Sequence, residues 1–184
     1  MIVYTTCNSQ ADLSGILKLQ KANLANALTA EEIQSQGFVT VSHQLKDLEN
    51  LNSIEKHIIA KDDDEVIAYL LAMTPASKFD LPILIPMFEV FGKIRWMTEL
   101  VSDFNYLVVG QVCVSKNYRG QSILDQCYDK YKECYRDKYE FAITEIDAKN
   151  LRSLKAHQRI GFKDIHRYKA ENGTEWIIVL WDWK

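Results

Sequence analysis

The sequence predicts a single α/β domain, residues 1–184, built on a mixed β-sheet. Three observations carry this. In the second half, apolar strand-like runs alternate with stretches of helical periodicity, which makes a parallel crossover unit. Near the end, Asn172-Gly173 separates two β-rich runs, the signature of an antiparallel hairpin with a type I′ turn. No repeat, low-complexity run or linker divides the chain. At this length about 70% of the unfolded surface can be buried, enough for a core without covalent staples.

The elements follow in order. Ile2–Thr6 is a β-branched strand. Asp12 is placed to cap a helix carrying Leu13, Ile16, Leu17 and Leu24. Thr29 caps a second helix with Glu31 and Glu32 in its first turn. Gly37–Val41 is extended, and residues 43–55 form a helix with Leu45, Leu48 and Leu51 on one side. Lys56–Ala60 and Glu65–Thr74 are strands joined by the acidic turn Lys61–Asp64, whose consecutive acids cannot all face one ion. Residues 75–104 hold all three prolines and are the least legible, with loops and a short helix around Met87–Lys93 expected. Tyr106–Val114 (YLVVGQVCV) is a strand buried on both faces. The loop SKNYRGQS leads into a helix with Leu124, Cys127, Tyr128, Tyr131 and Cys134/Tyr135 on its core side. Phe141–Ile146 is the next strand. Asn150 caps a helix with Leu151, Leu154 and Ile160, and Gly161 stops it. Phe162–Lys169 and Thr174–Trp183 are the hairpin strands.

Lysines and arginines number 22 against 25 acids, a formal charge of −3. This excludes a broad nucleic-acid binder, which carries a domain-wide basic excess. With 47% hydrophobic residues the chain is not a disordered acidic tail. The average hides a split. Residues 1–115 hold 8 basic and 14 acidic residues, net −6, whereas residues 116–184 hold 14 and 11, net +3. The four cysteines show neither CxxC nor zinc spacing, so they are expected to be free, as in a reducing compartment, with no metal site. No basic leader precedes an apolar stretch, and the longest apolar run, near Leu81–Val90, is too short to span a bilayer. A cytoplasmic protein without membrane partners is expected, and a homodimer is compatible with it.

Dinucleotide, P-loop and GxSxG fingerprints are absent. What remains is a strand, then YRGQS, then a helix. Loop amides feeding a helix N-terminus make an anion site; read alone, the same loop also fits an ordinary connection with a solvated arginine. Two stretches decide the reading: V-C-V-S-K-N-Y-R-G-Q-S-I-L, Val112 to Leu124, and T-E-I-D-A-K-N-L-R-S-L-K-A-H-Q-R-I-G-F, Thr144 to Phe162. They resemble the strand, pyrophosphate loop and following helices of the GNAT N-acetyltransferase superfamily. The resemblance implies that fold: a mostly antiparallel sheet with a central, splayed parallel strand pair flanked by helices.

The resemblance also implies an acetyl-CoA-dependent N-acetyltransferase that acylates a primary amine of a small molecule or peptide by direct transfer. A catalytically impaired acyl-CoA-binding module on the same fold is the alternative. Amides around Arg119, Gly120, Gln121, Ser122 and Ile123 would cradle the pyrophosphate. Val112, Cys113 and Val114 would lie on the splayed strand beside the pantetheine arm, and Asn150 would bond the same region. Glu145 would be the base, and His157 falls where the family has an acid tyrosine. Imidazole can donate to a thiolate with a different pH dependence; the other reading of His157 is a solvated helix residue. Glu145 could equally be a surface carboxylate paired with Lys149 or Arg152, and Cys113 a packing residue. Ser122 and Leu124 replace two loop glycines. If the first site needs a positive φ, its Cβ costs about 1 kcal/mol. Gly37, Phe38, Tyr69, Phe79, Phe88 and Trp96 are candidate acceptor walls, Phe38 and Tyr69 foremost, and the acidic N-terminal part favours a cationic amine.

Overall fold

The computed structural model describes the backbone of all 184 residues, and the side chains of all but Gln34 and Ser35. The strands are β1 (Ile2–Thr6), β2 (Ile58–Asp62), β3 (Glu65–Met73), β4 (Arg95–Trp96), β5 (Glu99–Leu100), β6 (Tyr106–Val114), β7 (Phe141–Asp147), β8 (Lys163–Lys169) and β9 (Glu175–Asp182). The helices are α1 (Gln10–Lys21), α2 (Ala30–Gln36), α3 (Leu45–Ile54), α4 (Ile85–Phe91), α5 (Ile123–Tyr135) and α6 (Leu151–Ile160). Seven strands form one sheet in the order β1-β2-β3-β6-β7-β9-β8, with β4 and β5 a separate short ladder. Every neighbouring pair in the main sheet is antiparallel except β6–β7, which is parallel.

Strand alternation sends side chains to two cores. One face packs Ile16 of α1, Leu48 and Leu51 of α3, and Phe91 of α4 against Tyr69, Val108 and Ile143. The other packs Cys127, Tyr128, Tyr131 and Tyr135 of α5 against Leu70, Leu107 and Ala142. The α5 stripe starts at Ile123 rather than Leu124, and Tyr135 takes the last core position while Cys134 is exposed. All four cysteines are free. Among the described residues, no helix is long and apolar enough to cross a membrane.

Several boundaries differ from expectation for local reasons. Ser9, not Asp12, caps α1; Asp12 completes the box from the third helical position by accepting from the Ser9 amide, and also holds Lys61 Nζ at 3.1 Å. Residues 37–41 form no strand, because only Val39 bridges, to Leu24. The β8–β9 connection is not a type I′ turn. Asn172 lacks the positive φ that turn needs, while Gly173 has φ +84°, and Gly173 N–H bonds Ala170 O. This is a type I turn with a left-handed glycine closing a three-residue loop.

Candidate active site

Strands β6 and β7 pair only from Tyr106↔Phe141 to Val108↔Ile143. Beyond that they separate, and Thr144 Oγ1 marks the fork by donating to Val109 O at 2.7 Å. The register of β3 on β6 shifts at the same level, leaving Gly110 unpaired. A Cβ there would stand 2.2 Å from Met73 Sδ, so any larger residue would have to displace the Met73 side chain. Ser115 N–H donates to Ile67 O on β3 at 2.7 Å. Alternation along the ladder then turns the Cys113 amide toward β3 and those of Val112 and Val114 toward the fork.

The fork opens on a cavity of about 760 Å³ bounded by residues 36–39, the loop after β6, the start of α5, and α6. Its charged lining is Arg119, Arg152, Lys155 and Arg159 against Asp125 alone. Arg159 grips Asp125 in a bidentate pair, at 3.0 and 2.7 Å, which ties α6 to the first turn of α5. Ser122 is the N-cap of α5 with φ +58°, and its hydroxyl makes no capping bond. It therefore occupies the left-handed position that favours glycine, and it leaves the first-turn amides without a side-chain partner. Arg119 is partly buried and committed to protein acceptors: Nε to Val114 O at 3.0 Å, Nη1 to Gln36 Oε1 at 2.6 Å and Nη2 to Asn23 Oδ1 at 2.5 Å. Its guanidinium ties Asn23 and Gln36 of the cavity wall to the end of β6. Asn150 plays a similar part. Oδ1 accepts from Ser153 N–H, capping α6, and Nδ2 donates to Phe38 O at 3.1 Å. Cys113 reaches the lining, but burial pushes its thiol up to about 12, so no thiolate is available at neutral pH. Gly120 and Ile123 line the cavity; Gln121 does not, and its amide instead donates to Asn117 O.

A second cavity, of about 70 Å³, adjoins the first and shares Phe38, Val39, Val112, Asn150 and Ser153 with it. Glu145, Asp147, Gln111, Trp176 and His157 also line it. Burial raises the Glu145 carboxyl to about 7, against the opposing pull of Tyr168, whose hydroxyl donates to Oε2 at 2.5 Å. The partner of Glu145 is thus Tyr168, neither Lys149 nor Arg152. Gln111 is fixed on three sides: Oε1 accepts from Tyr69 OH at 2.6 Å and Gln20 Nε2 at 3.2 Å, and Nε2 donates to Val41 O at 2.8 Å.

His157 is 2% exposed, packed against Tyr128 and Phe162, and is no solvated helix residue. Nδ1 donates to Ser153 O at 2.8 Å, which leaves Nε2 to accept from Tyr128 OH at 2.6 Å. Burial holds this ring down at about 4, hence neutral. Of the acceptor-wall residues, Phe38 and Gly37 border the large cavity. Tyr69 is fully buried behind Gln111, Phe88 lies in the core, and Phe79 and Trp96 line neither cavity. Gln111, Asp147, Tyr168 and Trp176 were not anticipated. Gln111 had a signal, the single long polar side chain in an otherwise apolar strand; Tyr168 had none, because its partner lies 23 residues away across β9.

Comparison with known proteins agrees with this geometry. The acetyltransferase (GNAT) family model matches residues 24–162. No curated sequence gives a significant match. The fold resembles a Drosophila melanogaster polyamine N-acetyltransferase that forms N-acetylagmatine, at TM-score 0.70 and 12% identity over 99% of this chain and 100% of that one. It also resembles the NatC complex bound to Gag peptide and CoA, at TM-score 0.66 and 13% identity over 100% and 99%. The ribosomal-protein-S18-alanine N-acetyltransferase from Escherichia coli gives TM-score 0.64 and 11% identity over 99% and 94%. With its family motifs set around the β6–β7 fork, the chain belongs to the GNAT acetyltransferase family.

Proposed function

We propose that the protein transfers acetyl from acetyl-CoA to a primary amine by direct attack in a ternary complex. The observation that carries this is the junction of the two cavities at Val112: a large cation-lined space on one side and a half-buried carboxylate on the other. The residues present fit the cosubstrate. The α5 first-turn amides, with the cations along α6, suit a pyrophosphate, and the fork-facing amides of Val112 and Val114 suit an extended amide-bearing arm.

Acetyl-CoA supplies an activated thioester. The Val112 amide is aimed where charge develops on its carbonyl oxygen, the position at which a fixed donor helps most. Glu145 first takes a proton from the bound ammonium, directly or through one water; the neutral amine then attacks, the N–C bond forms and the C–S bond breaks, and the nitrogen's second proton passes to the departing thiolate. A carboxyl held near 7 suits this task, being partly ionised at working pH yet basic enough to take a proton. His157 takes no part in proton transfer in this reading, since both ring nitrogens already have partners; a departing thiolate, of a class that titrates near ~8.5, needs no side-chain acid. Much of the rate comes from alignment. Phe38, Gln111 and Trp176 surround the acceptor, and Glu145 with Asp147 favours a cationic amine. The protein acts as one domain in a reducing, cytoplasmic setting, in keeping with its free cysteines.

Acetyl-CoA at a hundredfold excess over Kd should stabilise the fold by about 2.7 kcal/mol, raising Tm by several degrees. An unchanged Tm at saturation would refute the cosubstrate assignment. Thiol release measured over alkylamines, polyamines, aminoglycosides and peptide N-termini then identifies the acceptor.

A further inference from the structure

We propose that Tyr168 is a positioning residue for Glu145: by donating to Oε2 it fixes the carboxylate so that Oε1 faces the incoming amine. The inference rests on the reading of Glu145 as the base. Tyr168 sits on the far edge strand, β8, and reaches over β9 to the carboxylate on β7 at 2.5 Å. The phenol lines neither cavity, so it touches neither of the spaces assigned to the reactants. Its ring is partly buried against the hydrophobic core on that face of the sheet, which holds the hydroxyl in place. A carboxylate free to rotate in a small cavity would present either oxygen, and one donor removes that freedom.

The surroundings leave Tyr168 as the neighbour that holds the carboxylate. On its own strand, Asp147 shares the cavity, with Oδ1 accepting from the Lys149 amide. On α6, His157 is neutral and committed to Tyr128 and Ser153. On β8, His166 stands two residues before Tyr168 on the same exposed edge, opposite Ile178, itself the β9 partner of Glu145. From β6 and β9 come the uncharged Gln111 and Trp176, and residues 37–42 carry no titratable side chain. From the segment before α3, His43 lines neither cavity, and its Nδ1 meets Gln20 Nε2. Tyr168 donates to the charged form, so it lowers the carboxyl while burial raises it.

The test is a carbon-13 NMR titration of protein labelled at the glutamate carboxyls, with Glu145→Gln identifying the resonance. The wild-type midpoint should fall near 7. Tyr168→Phe keeps the ring and loses the donor, and its midpoint should rise by about one pH unit, the size of a hydrogen bond to a charged group. Replacing Tyr168 by 3-fluorotyrosine, a stronger donor of nearly the same shape, should move it the other way and covers the case in which Tyr168→Phe fails to fold. Transfer to the best amine from the acceptor screen should show a matching shift in the acid limb of kcat and a roughly tenfold lower kcat at pH 7, with KM for acetyl-CoA unchanged. A midpoint that neither variant moves overturns the inference while leaving the base assignment intact. Full activity in Glu145→Gln overturns the base assignment, and the role of Tyr168 with it.

Discussion

The two cavities at the β6–β7 fork are built on different principles. The larger one offers backbone and many weak partners: amides at the start of α5, amides on an unpaired strand edge, and cations from two elements. The smaller one depends on single side chains, each held by a specific neighbour: Glu145 by Tyr168, Gln111 by Tyr69 and Gln20. Redundant electrostatic sites should lose function gradually under substitution, whereas a site with one titrating group should lose it in a single step.

The largest effect is therefore expected at Glu145. Glu145→Gln should lower transfer at least a hundredfold, the range of general-base catalysis, with the acetyl-CoA thermal shift preserved. The same variant should be more stable than wild type above neutral pH. A carboxyl at 7 when folded and near 4.5 when unfolded costs nothing below pH 4.5, and its cost grows to a maximum above pH 7. At pH 8, Glu145→Gln should gain about 1–2 kcal/mol after discounting for solvent screening, and the gain should vanish at pH 4. Denaturant melts at the two pH values check this. If the gain is the same at both, burial does not set the carboxyl's titration.

Arg119 probes the other side of the comparison. Its three bonds hold Asn23 and Gln36 over the cavity and brace Val114 O, so its role is architectural as much as electrostatic. Arg119→Ala should cost about 2–3 kcal/mol of stability, because it leaves partly buried acceptors without a donor. It should raise KM for acetyl-CoA about tenfold with kcat little changed, since the amide of Val112 is untouched. A KM rise unaccompanied by loss of stability would mean the guanidinium acts on phosphate directly.

This difference also explains what could be read from the sequence. Local rules reached the periodic elements: β6 spans Tyr106–Val114 as expected, Thr29 and Asn150 cap their helices, and Gly161 ends α6. The loop and helix of the larger cavity were legible because their chemistry is contiguous in sequence. The smaller cavity was only partly legible. Glu145 had a family motif behind it, but its hydrogen-bond partner and the enclosing Trp176 arrive from β8 and β9, and no spacing rule joins them. His157 shows the same gap: its position in the chain suggested contact with the reacting atoms, yet Tyr128, 29 residues away on α5, draws its ring into the core. Residues 75–104 were obscure because three prolines there break both periods, and the result is short turns, α4 and a two-residue ladder.

The smallest expected effect bears on how far the larger cavity departs from an ideal phosphate cradle. Ser122 holds φ +58° at the N-cap of α5 without repaying the strain through a capping bond. Ser122→Gly removes the Cβ that makes this backbone costly, and no capping hydrogen bond is lost with it. The gain should be about 1 kcal/mol, somewhat reduced by the greater freedom that glycine adds to the unfolded chain. Acetyl-CoA affinity should rise by a few-fold at most, because the amides that meet the pyrophosphate belong to the backbone and are already in place. A large gain in affinity with no gain in stability would mean that the serine side chain obstructs the ligand, and then the cradle, unlike the carboxylate site beside it, would be limited by a single side chain after all.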